Sequence, residues 1–324
     1  MKKRFEGVIH KQIPDNIHIN KWMTGENLRI LEQASDTKFS VVTHPEYSCT
    51  EYRIKLNIFT FSRYNLRIPI TIIGPPLSVD SPGYAGNLER LIADYKRRKG
   101  IFLMLNLPEH PAIDKGAAIA ETLPSCIFQN HFSSFEDYLL TLRSGYRRRI
   151  KKALQKGESL RVEQIQNHDF SQEMYNLYLQ MRNRSKYPLE TLKPNFFRNF
   201  DGEIFVFSIN NTPAAFIALT YHGKDLSFTF GGMDYDKRDE YDLYLNMIIW
   251  ILKYAIVQKA ERINFGQTAE QTKLRVGCGL SKRYMVAFSG NPIFSFGLRL
   301  IAGRLGYGAD REGHKCFKSV AWSD

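Results

Sequence analysis

Twice along this chain an apolar run of strand length ends in glycine, a helix-patterned segment follows, and a second strand-like run closes the unit. In the first half, Ile68 to Ile73 runs into Gly74-Pro75-Pro76, and Leu88, Leu91, Ile92 and Tyr95 recur at helical spacing over about Asn87 to Arg98. Ile101 to Leu107 is the strand that follows Gly100. In the second half the order repeats: Leu226 to Phe230, Gly231-Gly232, a helix over about Tyr241 to Lys259, and Arg262 to Phe265 ending at Gly266. Strand, helix, strand buries its apolar faces only by laying the helix on a sheet, so the repeat confines the fold to layered α/β architecture. The expected class is α/β (α+β), with two tandem domains, each a mixed, mainly antiparallel twisted sheet flanked by helices. At 324 residues, two cores are the natural division, and the boundary is expected between residues 132 and 133, giving domains 1–132 and 133–324.

The charge is as uneven as the pattern is regular. The formal net charge is +12, and from Arg143 to Lys156 seven of fourteen residues are positive and none negative. These lie on a helix expected to start after the N-cap Ser134, with Glu136 and Asp137 at its positive end. Leu139, Leu142, Tyr146, Ile150 and Ala153 form its apolar stripe up to Gly157. A helix C-terminus favours cations, but seven exceed what its dipole requires, so Arg147, Arg148, Lys151 and Lys152 are expected to bind anions. Cys49, Cys126, Cys278 and Cys316 have no zinc or redox spacing and read as reduced thiols of a cytoplasmic protein. The basic start Met1 to Phe5 leads into mixed polar sequence, unlike a signal peptide. The longest apolar run, Met247 to Val257, is too short to span a bilayer. Neither a hydrolase triad nor a metal site emerges from the histidines; the expectation is no metal.

After the basic helix come the strand Leu160 to Ile165, a helix over about Phe170 to Ser185, and a short helix near Pro194 to Asn199. Three strands follow, Glu203 to Ile209, Ala214 to Tyr221 and Leu226 to Phe230, divided by Asn210-Asn211-Thr212-Pro213 and His222-Gly223-Lys224. This order resembles the GNAT acyltransferase fold. Tyr146-Arg147-Arg148-Arg149-Ile150-Lys151-Lys152-Ala153 before Gly157 is similar to the basic helix of its FemAB-like, peptidoglycan-bridge and cellulose-biosynthesis branch. So is Ile263-Asn264-Phe265-Gly266-Gln267-Thr268 with Lys273-Leu274-Arg275-Val276-Gly277 to that branch's strand and lysine-to-glycine segment. The resemblance covers about Ser133 to Ala287; the first half matches in element order alone and is expected to be a degenerate GNAT-like domain.

The resemblance implies an N-acyltransferase acting by direct attack of an amine on acyl-CoA or acetyl-CoA, which serves as co-substrate. It places the thioester against the backbone of Phe230, Gly231, Gly232 and Met233, with the pyrophosphate at the following helix start. There Lys237 and Arg238 are the available cations, although Asp236, Asp239 and Glu240 oppose an anion. Lys273 is the expected oxyanion or phosphate-ester partner, Arg275 its neighbour on the same anion, Glu270 the base for the amine proton and Gln267 a substrate hydrogen-bonder. Two competing readings remain. One is an aminoacyl-tRNA-dependent transferase acting on a peptidoglycan-precursor peptide, which usually carries a long helical arm that has no counterpart here. The other is a non-catalytic nucleic-acid-binding protein using the basic helix; DNA is not an expected partner. Ile293, Phe294, Phe296, Leu298, Leu300, Ile301 and Leu305, with Arg299 and Arg304 between them, suit either docking on the domain or peripheral contact with anionic lipid.

Overall fold

The computed structural model describes residues 4–57, 66–113, 116–185, 190–307 and 314–318, apart from the side chains of residues 301 and 303–305. The first half holds β1 (Val8–His10), α1 (Gly25–Ala34), β2 (Phe39–His44), β3 (Tyr47–Asn57), β4 (Arg67–Ile73), β5 (Tyr84–Gly86), α2 (Leu88–Tyr95), β6 (Ile101–Leu107) and β7 (Ala118–Gln129). Then come α3 (Phe135–Thr141), α4 (Ser144–Lys156), β8 (Arg161–Ile165), α5 (Gln172–Arg184), α6 (Pro194–Arg198), β9 (Glu203–Ile209), β10 (Thr212–His222) and β11 (Asp225–Met233). The chain continues through α7 (Leu243–Val257), β12 (Arg262–Asn264), α8 (Glu270–Leu274), β13 (Gly279–Ser289) and α9 (Pro292–Leu305).

These elements form two compact units. One comprises Met1–Pro124, Leu189–Leu192 and Lys282–Asp310; the other comprises Ser125–Pro188, Lys193–Ser281 and Arg311–Asp324. Neither is a continuous half, unlike the division expected at residue 132. The cause is strand donation. In the first unit β1-β2-β3-β4 are antiparallel neighbours, β4 pairs β6 in parallel, and β13 from the far end of the chain pairs β6 antiparallel. In the second, β8-β9-β10-β11 are antiparallel neighbours, β11 pairs β12 in parallel, and the end of β7 pairs β12 antiparallel. The paired strands of each unit therefore have the same order and senses, with a helix joining the parallel pair each time, which is the physical content of the repeat in the sequence.

The second unit has helices on both faces of its sheet. Ala215, Ile217 and Leu219 of β10 turn to one face and join a core with α7, buried along Leu243, Met247, Ile248, Ile251, Leu252 and Ala255. Phe216 turns to the other face, where its ring meets Phe170 and Phe197. The turn between β9 and β10 uses Asn210 and Asn211 at φ 49° and 64°, the left-handed pair that a tight hairpin demands. In the first unit Asp94, fully buried on α2, accepts from Glu6 N and Gly7 N at 2.9 Å and from the Tyr47 hydroxyl at 2.6 Å, fastening the N-terminal segment.

Two local expectations change. The helix expected from Ser134 to Gly157 is two helices, because Leu142 and Arg143 are extended (ψ 144° and 149°) and Leu142 bridges to Phe317. Gly231 and Gly232, expected to follow a strand that ends at Phe230, lie inside β11, paired with Ile217 and Phe216. Their composition answers to packing. A Cβ on Gly232 falls 2.5 Å from Tyr178 N, 2.6 Å from Leu177 C and 2.5 Å from the Phe216 ring, so only glycine lets α5 lie this close to β11. Gly232→Ala is expected to destabilise the second unit by about 2 kcal/mol or more through overpacking against backbone, measured as a lower chemical denaturation midpoint at unchanged m-value.

Candidate functional site

Pairing between β11 and β12 begins at Asp225↔Arg262 and ends at Ser227↔Asn264. Beyond it β11 continues through residues 228–233, an edge about 20 Å long that β12 does not cover. Asp234 N bonds to Ala214 O at 2.8 Å on the β10 side; by strand alternation the Gly231 and Met233 amides point away from β10, along that edge. The first unit offers no such edge. There β4 pairs β6 through Thr71, Ile72 and Ile73, its last residues, and Pro75-Pro76 follow without N–H groups.

The chain after β12 turns sharply at Gly266 (φ 70°), Thr268 (φ 63°) and Ala269 (φ 47°) into α8. Lys273 on α8 is buried to 2% exposure and donates to Gln267 O at 2.9 Å and Gly266 O at 3.4 Å, stitching the helix to the end of the strand. Its cation lies near Cys126 and Cys278, where it works against the rise of both thiol pKa values. Glu270 at the start of α8 is half-buried and acts in the opposite direction on Cys126. Gln267 and Arg275 are half-buried in the same loop and helix end. Lys273, Glu270, Gln267 and Arg275 thus occupy one segment at the end of β12, next to the part of β11 that β12 does not pair: a Cβ on Gly266 would lie 3.8 Å from Phe228 O.

Lys237 and Arg238 are placed differently. Lys237 is 3.5 Å from Asp234, and Arg238 forms two 2.8 Å bonds to Asp239. The start of α7 is therefore ringed by carboxylates, Asp242 being its N-cap, and its nearest cations are already neutralised. Phe230 and Met233 are buried.

The cations of α4 are divided. Arg143 Nε donates to Phe317 O at 3.0 Å, and Lys156 donates to Asp239 O at 2.7 Å and faces Asp242 at 3.5 Å. Arg147, Arg148, Arg149, Lys151 and Lys152 form no ion pair among the described residues, and all but the half-buried Arg147 are exposed. The inner face carries Ile150 and Ala153. Gly157 ends the helix where a Cβ would collide with Asn246 at 2.5 Å; the Asn246 amide caps α4 through Ala153 O at 2.8 Å. The same helix reaches the other segment. Tyr146 OH lies 3.2 Å from His314 Nδ1, and His314 Nε2 lies 3.0 Å from Gln271 Oε1 on α8. Ten residues separate Tyr146 from Lys156, so α4 spans about 15 Å between the α8 segment and the start of α7.

Sequence reasoning did not single out Asn246, Tyr146 as a hydrogen-bonding group, His314 or Tyr138, whose buried hydroxyl donates to Val276 O at 2.8 Å. Each acts through a partner more than forty residues away, for which no local pattern exists. Among the described residues no group of three His, Cys, Asp or Glu side chains is arranged to hold a metal.

Residues 141–274 match the family model described as acetyltransferase (GNAT) domain. The structure is similar to that of FemX, with TM-score 0.50 and 10% identity over 86% of this chain and 94% of that one. It is also similar to the structure of L-PGS from Bacillus licheniformis, with TM-score 0.48 and 12% identity over 87% of this chain and 96% of that one. No curated protein sequence matches. The matched segment contains α4, β11, α7, β12 and α8. Residues 141–274 thus carry a GNAT acetyltransferase domain, and the fold of the chain is similar to that of FemX.

The thiols give a pH prediction. Burial pushes Cys126 and Cys316 up to about 11 and Cys49 up to about 12, against an ordinary 9.0, and raises Cys278 as well. A folded pKa above the unfolded one contributes stability below pH 9 that is lost as pH rises towards 11. Stability is therefore expected to be level from pH 6 to 8 and to fall between pH 9 and 11, followed by urea melts. A thiol reagent at pH 8 is expected to label all four cysteines promptly only after denaturation.

Proposed function

We propose that the second unit moves an acyl or aminoacyl group from a thioester or ester carrier onto an amine, with the carrier laid along residues 228–233 of β11. The observation that carries this reading is the end of β11–β12 pairing at Ser227↔Asn264, which leaves the Gly231 and Met233 amides directed along an uncovered edge. Backbone N–H groups fixed in a strand cost no reorganisation when they meet a carrier carbonyl or amide. The amine attacks the acyl carbon, the tetrahedral oxyanion is stabilised by the Lys273 ammonium, and Glu270 takes the amine proton and returns it to the carrier's sulfur or oxygen as the bond to the acyl carbon breaks, so that the carrier leaves as thiol or alcohol. Gln267 and Arg275 orient the substrates. The first unit, with the same sheet but prolines where the edge would be, serves as a degenerate GNAT-like partner domain.

The donor reading that fits the charges best is aminoacyl-tRNA. Arg147, Arg148, Lys151 and Lys152 are available for phosphates, whereas carboxylates surround the start of α7, where a coenzyme A pyrophosphate belongs in this fold. Acyl-CoA is the second reading, supported by the free edge itself, which suits a pantetheine. Buried thiols fit a reducing compartment such as the cytoplasm.

Titration with tRNA and with coenzyme A at two salt concentrations separates the donors. On the tRNA reading, Arg148→Glu/Lys152→Glu weakens tRNA binding at least tenfold and flattens the salt slope by about 1.5, with the thermal midpoint unchanged. Coenzyme A binding that survives this double variant, without tRNA affinity, supports acyl-CoA. Salt-dependent tRNA binding with no transfer to any of a panel of primary amines contradicts the enzyme reading of the site. Lys273→Ala is expected to lower transfer at least 100-fold and stability by about 2 kcal/mol, since two carbonyls lose a charged donor. Turnover within threefold of the parent sinks the role given to Lys273.

A further inference from the structure

Helix α9, at the end of the first unit, is turned inside out. Its inner face is Ser295 and Leu298, both buried, with Ala302 packed near Met285 and Ala287. Ser295 Oγ donates to Ser289 O at 2.8 Å and accepts from Ser289 N at 3.1 Å, which fixes the rotation of the helix about its axis. Consequently Ile293, Phe294, Phe296 and Leu300 face outward, 78%, 56%, 60% and 70% exposed. Four large apolar side chains on two turns of one helix form a contiguous patch, which a soluble surface rarely leaves uncovered.

The surroundings are cationic. Gly290, just before α9, lies so close to the end of α2 that a Cβ would be 2.2 Å from Lys96 O and 2.6 Å from Arg98 O. The apolar face therefore starts beside the run Lys96-Arg97-Arg98-Lys99. Arg97 and Arg98 are spent on Glu6, Asp94 and Glu51, while Lys96 and Lys99 form no ion pair among the described residues. Arg299 is exposed on the helix flank. No Asp or Glu occurs from Gly290 to Tyr307 or from Tyr95 to Pro108.

We propose that α9 docks the protein on an anionic lipid bilayer. Ile293, Phe294, Phe296 and Leu300 enter the boundary between headgroups and acyl chains, and Lys96, Lys99 and Arg299 meet lipid phosphates at its rim. An outward apolar face calls for hydrocarbon, and an acid-free cationic rim calls for a negative surface; an anionic bilayer supplies both at one plane. The proposal is independent of the acyl-transfer reading, because every residue it uses belongs to the first unit.

Sedimentation of the full chain with vesicles of phosphatidylcholine and phosphatidylglycerol (3:1), beside pure phosphatidylcholine, tests it. Binding to the anionic vesicles is expected to exceed that to the neutral ones at least tenfold and to weaken with salt. Phe294→Ser/Phe296→Ser is expected to reduce it at least tenfold with unchanged circular dichroism and thermal midpoint. Lys99→Glu/Arg299→Glu is expected to remove the preference for anionic lipid. Ile293→Cys carrying an environment-sensitive dye keeps the question open to test if the serine variant misfolds, since the native thiols are buried; a blue shift on anionic vesicles alone is expected. Absent vesicle binding, binding unaltered by the serine pair, no blue shift, or a dimer that the serine pair dissolves while vesicles stay unbound overturns the proposal.

Discussion

A parallel strand pair that separates is the constraint on which the second unit depends. β11 is nine residues long and β12 three, and they pair only where both begin. The difference follows from local chemistry: Gly266 turns the chain away in the left-handed region, and α8 follows before β12 can continue. What would elsewhere be an unpaired sheet edge, a liability in a folded protein, is on the proposed reading a row of fixed donors for the acyl carrier. Lys273 fastens the turn that follows β12, its ammonium donating to the carbonyls of Gly266 and Gln267. The cation proposed to act in transfer is thus also the fastening of the loop that follows β12.

Helix α4 organises the remaining charge. Its apolar stripe holds it to the core, Asn246 caps its end, and Gly157 allows that cap to approach. One end reaches α8 through Tyr146, His314 and Gln271, and the other reaches the start of α7 through Lys156. The unpaired cations lie between. On the proposed reading a ligand with spaced phosphates would meet the cations from Arg147 to Lys152, whereas a single diphosphate at α7 would meet Asp234, Asp239 and Asp242, with Lys237 and Arg238 already engaged.

Much of this was legible in the sequence because periodicity reports burial. The repeat of strand, helix, strand was legible as a parallel strand pair joined by a helix in each unit, and the alternation and turn residues from Glu203 to Phe230 located β9, β10 and β11. Gly231-Gly232 was legible as glycine but not as to cause: a strand carrying glycine so that the backbone of α5 can approach it looks, in sequence, like the end of a strand. The division of the units was hidden because β7 and β13 find partners far along the chain, and no local signal encodes a distant edge. Leu142 likewise continues the helical stripe and yet bridges to Phe317, a tertiary contact overriding propensity. Lys237 and Arg238 show the converse, since charge counted along a sequence does not reveal which cations are already paired.

The account rests on the edge of β11, and amide hydrogen exchange resolved to single residues examines it directly. The probes are coenzyme A and a tRNA bearing a non-hydrolysable amide-linked amino acid, each added to the full chain. The account predicts slower exchange at Gly231 and Met233 with at least one of them, and little change at the β10-bonded amide of Asp234. Binding of either probe with exchange at Gly231 and Met233 unaltered, and protection elsewhere, would contradict it.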